Sequence, residues 1–114
     1  MRNAVFFLVL ITSGTAALAA PGASGFALVN GTSGPFAEMS IRRAGTNDWK
    51  PLASSPAPGA RTDVQFKDPD CAFDIRANVA GAGQVTWAGV NLCAVKSVTL
   101  NRDGSAGAWV DYDR

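Results

Sequence analysis

Cys71 and Cys93 are the only cysteines in this chain of 114 residues, and no histidine accompanies them. Two thiols could serve as a covalent staple, as part of a metal site or as a reactive pair. A structural zinc site needs four ligands, and two thiols without an imidazole fall short. A redox pair normally shows close C-x-x-C spacing, and a catalytic cysteine would lack the histidine that activates it. Without histidine, Ser-His-Asp and Cys-His mechanisms are excluded as well. The staple is the reading we carry forward.

Carboxylates are the remaining chemistry. Asp68-Pro69-Asp70 brackets a turn, and Asp111-Tyr112-Asp113 places two carboxylates on one face of an extended segment. With Asp48 or Asp103, either pair could line a calcium site built from loop oxygens, the set Asp48, Asp68 and Asp70 being the most plausible. The plainer reading is preferred: Asp beside Pro is ordinary turn chemistry, and Asp111 and Asp113 form the solvated face of a terminal strand. A hydrolase with two carboxylates would need a cleft, and no acidic residue here has a visible reason for a raised pKa. No catalytic residue and no cofactor are therefore expected.

The aromatic residues are more suggestive. Trp49 lies in a polar stretch beside Asn47 and Asp48. It either folds down as a plug on the core or stays exposed as a sugar-stacking or partner-binding hot spot; the plug is the favoured reading. Trp109 alternates with Ala108 and Val110, so it faces opposite to Val110 and Tyr112. An exposed Trp109 on an edge strand would make a docking surface.

The elements that must position these residues read as strands, because apolar residues alternate with period two almost throughout. After an unstructured "APGASG", "FALVN" (26–30) is closed by the turn-forming "NGTSGP". In "PFAEMSIRR", Ala37, Met39 and Ile41 face one way and Glu38, Ser40 and Arg42 the other. Residues 44–60, rich in Gly, Pro, Ser and Ala, form one long loop around Trp49 and Leu52. "RTDVQF" then puts Thr62, Val64 and Phe66 inward. A long strand from Cys71 to Val79, one beginning at Gln84, "VKSVTLN" and "GAWVDYD" complete about seven short strands. Turn signals between them suggest an antiparallel β-sandwich or small barrel.

The cysteines fall on a hairpin. If Ala80 and Gln84 close a loop of Gly81-Ala82-Gly83, Gly83 supplies the left-handed position. Val79 then faces Val85, Ala77 faces Trp87, Ile75 faces Gly89, Phe73 faces Asn91 and Cys71 faces Cys93. The odd residues from Cys71 to Trp87 make the apolar face. A bulge near Gly89 would break this register. Cross-strand pairs of this kind bring Cα atoms within disulfide reach.

The chain opens with Arg2, an apolar run from Ala4 to Ile11 and small residues ending in Ala17-Leu18-Ala19. This is the pattern of a secretory signal peptide, and Thr12, Ser13, Gly14 and Thr15 stop the run short of a bilayer span. The expected division is a signal at 1–19 with cleavage near Ala19, then one domain at 20–114. Removing Arg2 leaves nine basic against nine acidic side chains. With no basic stripe, binding to nucleic acid or to anionic membranes by bulk charge is unsupported.

Several motifs carry a likeness. Leu28-Val29-Asn30-Gly31-Thr32, Asp48-Trp49, Pro58-Gly59, Cys71 to Arg76 (C-x-F-D-I-R) and Trp87 to Cys93 (W-x-GVNLC) are spread over 28–100. Together they resemble a group of small exported bacterial proteins without an established activity. Lys50 stands where that pattern has Gly, and Gly-Ala-Gly where its hairpin often has Asp-Gly. The resemblance implies an exported, disulfide-bonded β domain and carries over no catalytic or binding residue. The expectation is a compact antiparallel β-sandwich with one cross-hairpin disulfide. As a function we expect a non-enzymatic periplasmic or secreted binding domain, monomeric, meeting an unknown protein or envelope component through Asp48, Trp49 or Trp109. The alternatives are a calcium- or glycan-binding module and, last, a small hydrolase.

Overall fold

The computed structural model describes residues 22–114; the expected signal segment, 1–19, lies outside the described residues. Those residues form eight strands and no helix: β1 (Phe26–Asn30), β2 (Phe36–Arg43), β3 (Lys50–Pro51), β4 (Arg61–Val64), β5 (Ala72–Val79), β6 (Gly83–Asn91), β7 (Ser97–Asp103) and β8 (Gly107–Asp113). They divide into two four-stranded sheets, β4-β1-β7-β8 and β3-β2-β5-β6. Between them lies an apolar core of Leu28, Phe36, Met39, Ile75, Trp87, Val90, Val98 and Leu100, all essentially without solvent contact. The expected all-β, two-layer architecture with a disulfide is therefore present. Phe36 packs against Trp87 at 5.3 Å between ring centroids, and the Trp87 indole N–H reaches the carbonyl of Asn101, 2.8 Å away on the opposite sheet. That bond satisfies the one polar atom of the largest core side chain.

Several expectations need correction. Strand pairing is antiparallel except between β1 and β7, which run parallel from Ala27–Ser97 to Asn30–Leu100. These strands are distant in sequence, so no tight hairpin dictates their sense. The long loop is interrupted by β3, which pairs Lys50 with Ile41 and Pro51 with Ser40. Within "APGASG", Ala23 is buried and exchanges backbone hydrogen bonds with Asp68, donating at 2.7 Å and accepting at 3.2 Å. Finally, Ala37 is exposed while Phe36, Met39 and Ile41 point inward, because β2 carries a bulge between Ala37 and Ser40. Glu38 takes a left-handed φ of 50° there, and its carboxylate accepts a hydrogen bond from Asn78. An extra residue in a strand reverses the alternation beyond it.

The cysteine hairpin shows the same physics twice. Gly81 and Gly83 both take left-handed φ values, 86° and 80°, and Ala82 N–H donates to Val79 C=O at 2.8 Å. The turn therefore closes on Ala80–Ala82, and Val79 faces Gly83, Ala77 faces Val85 and Ile75 faces Trp87. This is a slip of two residues from the expected register, so the inward set is preserved. A bulge then sets Asp74 against Ala88 and Gly89, and Phe73 faces Val90. Beyond it the inward residues of this segment are Val90 and Leu92. Cys71 and Cys93, rather than joining the apolar face, lie outside the core and form a disulfide with Cα atoms 5.1 Å apart.

Candidate functional site

One end of the sandwich gathers most of the charged chemistry. The turn after β2, the segment 46–50 and the stretch joining β4 to β5 enclose a cleft of about 300 Å³. This is near the lower limit of small-ligand sites. Its apolar floor is Ile41, Phe66 and Phe73, with the two phenyl rings edge-to-face at 5.1 Å. Its rim is ionic. Arg43 Nε lies 3.2 Å from carboxylate oxygens of both Asp68 and Asp70, and Lys50 Nζ lies 2.8 Å from Asp48.

Two of these groups are shifted by their contacts. The backbone N–H of Asp70 donates to Asp68 at 2.9 Å; that bond, with Arg43 beside it, holds the Asp68 carboxyl below the usual carboxylate range against the opposing effect of desolvation. The Arg43 guanidinium is pushed up in turn, chiefly by its hydrogen bond to Asp68. The three carboxylates considered for calcium are thus engaged by cations. Among the described residues no cluster of three or more His, Cys, Asp or Glu side chains is arranged to hold a metal ion.

Beside the cleft, Trp49 resolves differently from either expectation. It is half-buried, yet it covers no apolar core; Leu52 and Pro56 are the buried residues of this loop. The ring lies instead on the outer face of the second sheet, where the guanidinium of Arg76 is 3.9 Å and that of Arg42 4.5 Å from its centroid. The strands bring the two arginines together, since β2 pairs with β5 so that Arg42 faces Asp74 and Ser40 faces Arg76. Guanidinium over indole is a favourable electrostatic contact. Arg42 is anchored by Asp74 at 2.8 Å and reaches Asn47 at 3.3 Å. Asp74 is itself buried; the N–H of Gly89 at 2.9 Å and then Arg42 keep its carboxyl below the ordinary value. Among the described residues Arg76 makes no salt bridge. The motif from Cys71 to Arg76 contains Asp74 and Arg76, but no local pattern reports the cross-strand pairing that sets them beside Arg42 and Trp49.

The remaining candidates lie elsewhere. Trp109 is 42% exposed and Tyr112 37% exposed on β8, far from Trp49 in strand order. Trp109 leaves the outer face of that strand open, while on the other face Val110 packs against the core and the Tyr112 hydroxyl accepts the Asn91 N–H at 3.0 Å. Asp111 accepts a hydrogen bond from Asn101 at 3.0 Å. Asp103 caps its own turn, accepting the Ser105 N–H at 2.9 Å, which lowers its pKa.

The motifs that carry the resemblance occupy structural joints. Asn30, with 0% exposure, donates from Nδ2 to the carbonyls of Gly34 and Pro56 at 2.9 Å each and accepts from the Thr32 N–H at 2.8 Å. Asn-Gly-Thr is also a glycan acceptor pattern, but this amide nitrogen is sealed and both its protons are used. A Cβ on Gly31 would fall 2.0 Å from the Asn101 amide oxygen, so a larger residue there would push that side chain aside. Gly89, at φ 66°, forms the bulge that seats Asp74. No family model matches the chain. No curated protein and no solved structure matches it either.

Proposed function

We propose that this protein is an exported, non-enzymatic binding domain, and that its ligand or partner docks at the cleft and the adjoining Trp49 face. The observation that carries the reading is the cleft itself: an apolar floor of Ile41, Phe66 and Phe73 beneath a charged rim, flanked by an indole held by two guanidiniums. Convergent polar groups around an apolar hollow are the usual build of a recognition site. The likeness of its motifs to small exported proteins supports the same assignment. Export to the periplasm or beyond is supported by the signal-like start and by the Cys71–Cys93 disulfide, a bond that persists in oxidising compartments.

A binding role is favoured over catalysis on chemical grounds. The chain has no histidine, and the carboxylates of the cleft each face a cation at 3.2 Å or less. A general acid needs a raised pKa, whereas Asp68 is held down. The glycan alternative is weakened by the guanidiniums of Arg42 and Arg76, which already lie against the Trp49 ring.

The test is capture by chemical cross-linking in a periplasmic extract. Wild-type protein is compared with Trp49→Ala and with Lys50→Glu, which reverses charge on the rim. A partner recovered by the wild type and lost in both variants, with cross-links mapping to 46–52, is the expected result. A partner retained equally by both variants places recognition elsewhere and overturns the assignment of the site.

A further inference from the structure

Two sheets of four strands leave four edges: β3, β4, β6 and β8. An open edge is a template for another strand, and soluble proteins blunt it with shortness, proline, charge or a bulge. β3 is two residues long and contains Pro51. β4 has four residues and exposes Arg61 and Asp63. β6 is kinked by the bulge at Ala88 and Gly89, and its Asn91 N–H is taken by the hydroxyl of Tyr112 at 3.0 Å. β8 has none of the first three kinds of protection save its acidic end. It runs seven residues without proline, lysine or bulge, in unbroken register with β7 from Ser97–Asp113 to Asp103–Gly107. It also carries both of the large apolar side chains left exposed among the described residues, Trp109 and Tyr112.

We propose that β8 pairs with β8 of a second copy of this chain, antiparallel about a two-fold axis at Val110, making a weak homodimer with a continuous eight-stranded sheet. This goes beyond the assignment of the cleft and does not rest on it. The occupant is argued from the strand's own residues. Asp111 and Asp113 would meet like charges in an in-register parallel pairing, and Asp111 would meet itself in an antiparallel pairing centred there; like charges directly opposite are unfavourable. Centring on Val110 removes both conflicts and uses the whole strand. Trp109 then faces the other copy's Asp111, Ala108 faces its Tyr112 and Gly107 faces its Asp113, so large residues stand against small ones. The interface is isologous, as a closed dimer requires. A mature chain with nine charges of each sign also lacks the net repulsion that keeps copies apart. This proposal departs from the monomer expected from the sequence.

Sedimentation velocity on the disulfide-bonded protein, from about 10 μM to about 1 mM, covers the range expected of a small interface. The expected result is a monomer–dimer equilibrium, with amide protons of 107–113 gaining exchange protection as the dimer fills. Trp109→Glu, at an exposed position, sets a carboxylate against the other copy's Asp111 and should weaken dimerisation by about tenfold or more. Trp109→Lys sets an ammonium there and should retain it. A wild type that stays monomeric at the highest concentration overturns the proposal and leaves the edge to a different partner. A dimer indifferent to Trp109→Glu overturns it by placing the interface elsewhere, and loss of the dimer in Trp109→Lys overturns the Val110-centred register.

Discussion

Trp49 and Trp109 are both tryptophans outside the core, and their surroundings differ in kind. Trp49 belongs to an end of the molecule tied down several times over. The disulfide joins β5 to the end of β6, Arg43 clasps Asp68 and Asp70, and Arg42, itself anchored by Asp74, lies over the indole. Trp109 belongs to the outer face of an edge strand, paired with β7 on one side and with no strand on the other. A rigid hollow can select a ligand with little ordering cost, because its side chains are already in place. An open edge selects by backbone hydrogen bonding, which asks for extended chain rather than for a particular small molecule. The two regions therefore suit different occupants.

Removing the staple tests the braced end most severely. The double change Cys71→Ser, Cys93→Ser should cost about 3 kcal/mol, the chain-entropy value for a loop of this length. Urea unfolding of the variant beside the oxidised wild type measures it. If the loss is under about 1 kcal/mol, the ionic contacts alone brace the cleft, since a native disulfide ordinarily contributes more.

Asp74→Ala should come next, at about 2–3 kcal/mol, because it strands both the Gly89 N–H and the Arg42 guanidinium. The same carboxyl sets an acid limit. Its pKa and that of Asp68 are lower folded than unfolded, so the unfolded chain takes up protons first as the pH drops. The stability these groups supply is complete above the unfolded value of about 4 and disappears as the pH falls through their lowered folded values. Urea midpoints measured across acid pH should show this decline, and Asp74→Asn should flatten it.

Smaller effects separate the two tryptophans directly. Trp49→Ala should destabilise by about 1–2 kcal/mol, the sum of two partly exposed cation–π contacts. Trp109→Ala should change monomer stability by no more than about 0.5 kcal/mol, as exposed surface sites do. Thermal melts at a concentration below dimerisation compare them. Equal losses would mean that Trp109 packs on the fold as firmly as Trp49, contrary to the contrast drawn above.

Much of this architecture was legible from period-two alternation. The strands at 26–30, 61–64, 72–79 and 107–113 lie close to where Gly, Pro and Asp signals bound them, because those residues act locally. The pairing of Cys71 with Cys93 was legible too, although the route to it was not. The expected register slipped by two at the turn, and a bulge changed it again before the cysteines met. A bulge costs one residue and leaves no signature in the alternation until the partner strand is known. Gly89 carried such a hint, and Glu38 carried none.

The sequence by itself determined most of the strands, the residues that turn the chain between them and their covalent tie, because alternation, glycine and cysteine act through the residues next to them. Tertiary structure alone decided that Trp49 would lie with Arg42 and Arg76, that Phe66 and Phe73 would floor a cleft, and that β8 would be left as an open edge. Each of these joins residues separated along the chain, and their meeting depends on sheet order and register. Those are set by the packing of the whole core.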